Sequence, residues 1–213
     1  MSGTSFLGVA SPTGSWSSIW RCWTLSKVQH FLWQCCFHAL PVRVALLACG
    51  CAVSPLCPCC GLQEESVVHL IFSCPHYFQV WKLSPLRFDF SALSFSSFQV
   101  GWRFLVHKAM VSSDFANVLS LISFCVWGIW KAQNRLVFEG VLWRPEVVVQ
   151  KAVASFWEFH DARFLCSSVQ PQLAGALVES WSPPPSGFVK CNFDAAFCRQ
   201  SSQGGGAAVF RDL

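Results

Sequence analysis

Residues 57–81 read CPCCGLQEESVVHLIFSCPHYFQVW. Four cysteines and two histidines share these twenty-five residues with only two full charges, Glu64 and Glu65. Cys57 and Cys60 form a Cys-x2-Cys knuckle, with Pro58 before the second thiol and Gly61 after it. Eight residues then separate Cys60 from His69, and four separate His69 from Cys74. Zinc takes four nitrogen or sulfur ligands in a tetrahedron, and a two-residue gap lets two thiolates reach one ion from a tight turn. His69 and Cys74 can meet the same point from the edge of one helical turn, and Gly61 supplies the backbone freedom of the knuckle. The spacing leaves alternatives open. Cys59 reads as a spare thiol pointing away. Cys49-x-Cys51 lies close with a less suitable gap, and His76 could stand in for His69. Cysteines are also among the most buried residues, so a simple core role remains.

Outward from this stretch, the 213-residue chain has room for one sizeable domain or two small ones. It is 53% hydrophobic and 12% charged, against a usual charged share of roughly 25%. Such a chain is expected to pack against something, by self-association through apolar surface or within a larger protein. The net charge of +4 is a weak hint of anionic partners. Residues 1–15 show no basic n-region and no apolar h-region, so no secretory signal is expected. The expectation is an intracellular, reduced protein whose thirteen cysteines bind metal or pack in a core rather than form disulfides. The longest apolar run, residues 118–130, has thirteen residues. A membrane span needs about 20. A buried helix is the expectation, with membrane association the alternative.

Residues 1–15, rich in Ser, Gly and Thr, read as a flexible lead. A helix is expected from Ser26, its N-cap, to an exit at Pro41, burying Val28, Phe31, Leu32, Cys35 and Ala39. Lys27, His30, Gln34 and His38 line its other side. A short helix follows at residues 43–48, and one or two turns at 66–72 and at 76–82. Residues 84–101 read as a poorly defined connection. Residues 114–136 and 145–164 are helical in pattern. A Pro, Ser and Gly-rich linker spans 166–187. Strands at 188–197 and 207–211 flank a turn at 201–206.

From Trp20 to Trp81 the chain resembles the reverse-transcriptase zinc-binding domain of plant non-LTR (LINE-like) retrotransposons and their relics. The resemblance rests on KVQHFLW at 27–33, ALPVR at 39–43, LCPCCG at 56–61, Glu64-Glu65, HLIFSCP at 69–75 and Trp81. It implies one Zn2+ on Cys57, Cys60, His69 and Cys74. The chain departs from the family at residues 48–51 (ACGC), where a basic residue usually precedes the glycine; this leaves the ligands intact and weakens a basic face. IWKAQNRLVF at 129–138 is similar to the segment that follows this domain. WSPPP at 181–185, VKCNFDAAF at 189–197 and GGAAVFRD at 205–212 resemble the opening of a type-1 RNase H domain.

RNase H resembles a two-metal phosphodiesterase, whose several carboxylates hold two divalent ions. Asp194 matches the first of these carboxylates. The others are expected to be missing because the sequence stops at Leu213, so Asp194 is inactive alone and Mg2+ would bind only a completed domain. The polymerase Tyr-x-Asp-Asp is absent, since Tyr77 is the sole tyrosine and Phe78-Gln79-Val80 follow it. Lys27 and Arg43, near Trp20, Trp23, Trp33 and Phe37, are the candidates for contacting RNA or DNA by phosphate pairing and base stacking. Glu64 and Glu65 on the knuckle oppose that, and a purely structural zinc site is the competing reading.

The expected fold is mainly α. Residues 16–84 form a small helical zinc-binding module and 85–165 a helical spacer. Residues 188–213 form a β-hairpin fragment of an RNase H-like α/β fold. The expected function is that of a retroelement-derived zinc-binding protein with weak, non-specific nucleic-acid association, no small-molecule substrate and no catalysis. An RNA–DNA hybrid ribonuclease is the first alternative, and a membrane-associated protein the second.

Overall fold

A computed structural model describes residues 13–168, 187–198 and 203–211. Seven α-helices run in order: α1 (Thr13–Arg21), α2 (Ser26–Cys36), α3 (Arg43–Ala48), α4 (Pro75–Leu83), α5 (Phe98–Met110), α6 (Phe115–Glu139) and α7 (Pro145–Ser168). A π-helical turn, His69–Ser73, stands between α3 and α4. The described part of the chain is therefore mainly helical. Helix α1 begins inside the stretch expected as a flexible lead, and residues 1–12 lie outside the described residues.

Helices α2 and α7 follow from their apolar faces. In α2, Val28, Phe31, Leu32, Cys35 and Cys36 are buried, while Lys27 and His30 are exposed. Two expectations for α2 need correction. Its N-cap is Leu25, with no side-chain cap bond, so Ser26 is the first helical residue. The helix also ends at Cys36, before Pro41, because His38 takes a left-handed backbone (φ 54), which leaves Ala39 exposed. In α7, Val148, Ala152, Phe156 and His160 form a buried stripe at every fourth position.

Helix α6 is the centre. It packs against α2, α4, α5, α7 and the π-helical turn. Leu119, Ile122, Phe124, Cys125, Val126, Ile129 and Ala132 are all at most 2% exposed. By length and composition its 25 residues could cross a membrane. Here those apolar residues are covered by neighbouring helices instead.

Helix α5 is the main departure from expectation. Its first residues fall in the stretch read as a poorly defined connection. Ser97 caps it by accepting a hydrogen bond from Val100 N–H at 3.3 Å. Phe72, Trp81, Phe90, Phe95 and Phe98 then lock the segment into one aromatic cluster, with Phe72 at centroid distances of 4.8 to 6.5 Å from the others. Gly101 permits this packing: a Cβ there would lie 2.5 Å from the Phe72 ring. Fully burying each such ring is worth about 1.5–3 kcal/mol. The order of this Ser-rich segment therefore comes from its phenylalanines rather than from helix periodicity.

The C-terminal unit is a hairpin of β1 (Lys190–Cys198) and β2 (Gln203–Arg211), antiparallel, with Asp194 opposite Ala207. Strand β2 starts earlier than expected and takes in Gly204 to Gly206, which pair with Phe197 to Ala195. The expected linker begins later than residue 166, because residues 166–168 are the last of α7; of the remainder only Gly187 lies within the described residues.

Candidate metal centre

The knuckle is built by backbone before any ligand is considered. Leu56 and Glu64 form an antiparallel bridge. Cys57 N–H donates to Gln63 O and Gly61 N–H to Cys57 O, both at 2.8 Å, and Glu65 N–H donates to Pro55 O at the same distance. Gly61 has φ +66, a left-handed conformation that lets the chain double back after Cys60. Cys57 and Cys60 thereby sit on one side of a tight turn.

The other two candidates come from the π-helical turn, where Cys74 N–H donates to His69 O at 2.6 Å. Residues five apart on an α-helix point about 140° away from each other. An i→i+5 turn is wider and brings them closer to one side, with Cys74 as the extended residue that ends it. The expected helical turn is thus present in a different form, and the form is what lets His69 and Cys74 face one point.

The donor atoms of Cys57, Cys60, His69 and Cys74 all lie within 4.8 Å of one another. The Sγ atoms of Cys57 and Cys74 are 4.0 Å apart, and Cys60 Sγ is 3.3 Å from His69 Nε2. A tetrahedral zinc ion would hold S···S pairs about 3.8 Å apart and S···N pairs about 3.5 Å apart, given its usual bond lengths. The 4.0 Å and 3.3 Å separations lie close to these values. His69 Nδ1 is 3.0 Å from Gln63 Oε1. A carboxamide oxygen only accepts, so Nδ1 carries the proton and Nε2 keeps its lone pair for a metal. His69 N–H also donates to Ser66 Oγ at 3.0 Å, which holds the start of the turn.

The thiols themselves fit a cation. The hydrogen bond with Cys74, together with burial, pushes the Cys57 thiol up to about 12. Cys74 is lowered by its hydrogen bond with Cys57, but Cys59 and burial outweigh this and push it up to about 12. Close, buried thiols with no cation hold their protons. A divalent ion reverses that balance and deprotonates them on coordination. Three sulfurs and one imidazole complete a closed four-coordinate set, the pattern of a structural zinc site, with no position left for a reacting water.

The open alternatives resolve as follows. His76 Nε2–H donates to Trp143 O at 2.8 Å and takes no part in the cluster. Cys49 and Cys51 are exposed thiols outside it. Cys59 does not point away: it lies against Cys74 and Tyr77 and acts on both. Gln63 had no spacing signal by which the sequence could have revealed it. Lys27 is exposed on α2, and Arg43 opens α3, half-buried. The two knuckle glutamates divide, Glu64 exposed and Glu65 only 3% exposed. Burial pushes Glu65 up to about 7, while Gln133 and Arg43 act to lower it. One of the two charges expected to oppose a nucleic acid is therefore folded inward.

Residues 7–81 match the family described as zinc-binding in reverse transcriptase. No curated protein and no solved structure matches the chain. Together, the match and the four converging donors support a reverse-transcriptase-related zinc-binding domain over these residues, with a Zn2+ site at the cluster.

Proposed function

We propose that this protein is a retroelement-derived zinc-binding protein, of the kind found in plant non-LTR elements. In this reading one Zn2+, held by Cys57, Cys60, His69 and Cys74, organises a module that associates weakly and non-specifically with RNA or DNA. The convergence of those four donor atoms within 4.8 Å is the observation that carries it. Lys27 and Arg43 supply phosphate contacts, and exposed Trp20 and Phe37 offer stacking faces. The metal's part is to fix the knuckle. The hairpin is the opening of an RNase H-like fold without its catalysis: Asp194 is the one carboxylate on β1 and β2, and two-metal cleavage needs several.

The test is elemental analysis of reduced, purified protein, with salt-dependent binding to a single-stranded oligonucleotide measured on the same sample. One zinc per chain is expected, lost in Cys74→Ser and kept in Cys59→Ser. Lys27→Ala and Arg43→Ala should each weaken binding and flatten its salt dependence. Protein without stoichiometric zinc would overturn the reading.

A further inference from the structure

Helices α6 and α7 cross closely at Gly128, where a Cβ would lie 3.3 Å from that of Ala152. The close crossing brings Lys131 of α6 and Lys151 of α7 to the rim of one cleft, with the indoles of Trp127 and Trp143 in its walls. Both lysines are exposed, and among the described residues neither has an ion pair. No carboxylate lines the cleft. Two further cations stand beside it. Arg135 lies one turn beyond Lys131 and pairs with Glu139 at 2.9 Å, and Arg144 pairs with Glu146 at 3.5 Å. The two lysines are therefore the uncompensated charge of this face.

The cations are held rather than left to swing. Lys151 Nζ lies 4.8 Å from the centroid of the Trp143 ring, and Arg135 Cζ lies 5.1 Å from it. A cation over an indole face is attracted by the quadrupole of the ring. Trp143 is itself tied down, since His76 Nε2–H donates to its carbonyl at 2.8 Å. Two ammonium groups on one rim without a counter-charge repel each other, and an anion between them relieves that repulsion. Pockets for small organic ligands run to about 300–1,000 Å³. This cleft accommodates only about 10 Å³, too little for a nucleoside. What it offers a partner is therefore its charged rim, and exposed cations on a shallow face suit the successive phosphates of an extended polyanion. Phosphodiester backbones are bound in this way, by lysines and arginines without regard to base.

We propose that the α6–α7 face is a phosphate-backbone contact surface for a single-stranded nucleic acid, with Lys131 and Lys151 each pairing with a phosphate. The proposal rests on the nucleic-acid association argued above. It adds a second surface, outside residues 7–81 and on the helices that follow them.

The test uses the full zinc-loaded chain and a fluorescein-labelled oligouridine, titrated over a series of salt concentrations. Each phosphate contact on a single strand adds about 0.7 to the slope of log K against log salt, so Lys131→Gln/Lys151→Gln should flatten that slope by about 1.4. Lys131→Arg/Lys151→Arg keeps both charges and should keep the slope. Arg103→Gln/Lys108→Gln removes the same charge from exposed positions on α5 and should also leave the slope unchanged. All of these variants replace exposed side chains, and each should retain one zinc per chain. An equal flattening in the α5 variant would mean that net charge alone is read, and overturns the proposal. A slope unchanged in Lys131→Gln/Lys151→Gln overturns it too, and a loss in Lys27→Ala or Arg43→Ala would then leave the general association standing. No binding of oligouridine by the wild type overturns both. Phosphatidylserine vesicles, run beside the oligouridine, present the other source of phosphate. A defect of the glutamine double variant confined to vesicles would assign the face to a membrane surface and overturn the proposal.

Discussion

The knuckle and α6 hold cysteines of the same chemistry by opposite means. Cys57 and Cys60 sit on a short loop whose neighbours Leu62, Gln63 and Glu64 are exposed, and Cys74 follows the turn that carries His69. The loop itself buries little apolar surface, and four donors aim at one point. Cys125, in the middle of α6, meets only core, and burial alone pushes its thiol up to about 12. Cys35 on α2 is likewise raised well above the ordinary value, chiefly by burial. A buried thiol surrounded by carbon is a small apolar side chain, whereas a buried thiol facing other donors is a ligand. The neighbours make the difference, and the stability of each region should respond to different insults.

The largest effect should come from removing the metal. Structural zinc contributes an apparent 10–16 kcal/mol to domains that cannot fold without it. Chelation should therefore abolish amide-exchange protection through the knuckle, residues 55–66, while the amides of α6 and α7 stay protected. The span stops there because Leu70, Ile71 and Phe72, like Ile19, Val28 and Leu32, belong to the same core as Ile122 and Ile129. Loss of protection in α6 together with the knuckle would break the comparison.

The converse insult is a cavity in the core. Phe124 is 1% exposed and packs against Phe156 and Phe159. Phe124→Ala should cost about 3–5 kcal/mol, read as a lower denaturant midpoint. Zinc stoichiometry should not change, and a loss of zinc in this variant would show that the two regions are not separable.

A smaller effect sharpens the border between them, at Glu65. Its folded pKa is raised from 4.5 to about 7, so the folded state holds a proton that the unfolded chain has released. This contribution to stability is present at acid pH and is lost as pH rises from about 4.5 to about 7, on the order of 1–3 kcal/mol. Protons compete with zinc for its ligands and produce the opposite slope at acid pH. The informative quantity is therefore wild type minus Glu65→Gln, with unfolding measured across that window. Parallel pH profiles for the two proteins would place the Glu65 carboxyl in water.

Local patterns were the legible part. Cys57-x2-Cys60 with His69 and Cys74 could be read because ligand spacing is set by the reach of a short chain. The buried positions Val28, Phe31, Leu32 and Cys35 of α2 follow apolar periodicity in the same way. Helix α5 escaped because its Ser-rich approach carries no helical period and its order depends on Phe72 and Phe90 across the fold. The π-helical turn escaped because sequence spacing does not distinguish it from an α turn. Gln63 escaped because a residue that orients a ligand needs only to reach it.

The sequence by itself determined the zinc-ligand types and the mainly helical class, since both depend on residues near one another in the chain. Only the tertiary structure decided which of two adjacent glutamates is buried, which thiols converge with His69 and which are packed among carbon, and that Glu65 meets Gln133 across 68 positions of sequence. The physical reason is that burial and the partner met across the fold set the cost of a charge. Both are properties of the packed chain, and neighbours in sequence do not carry them.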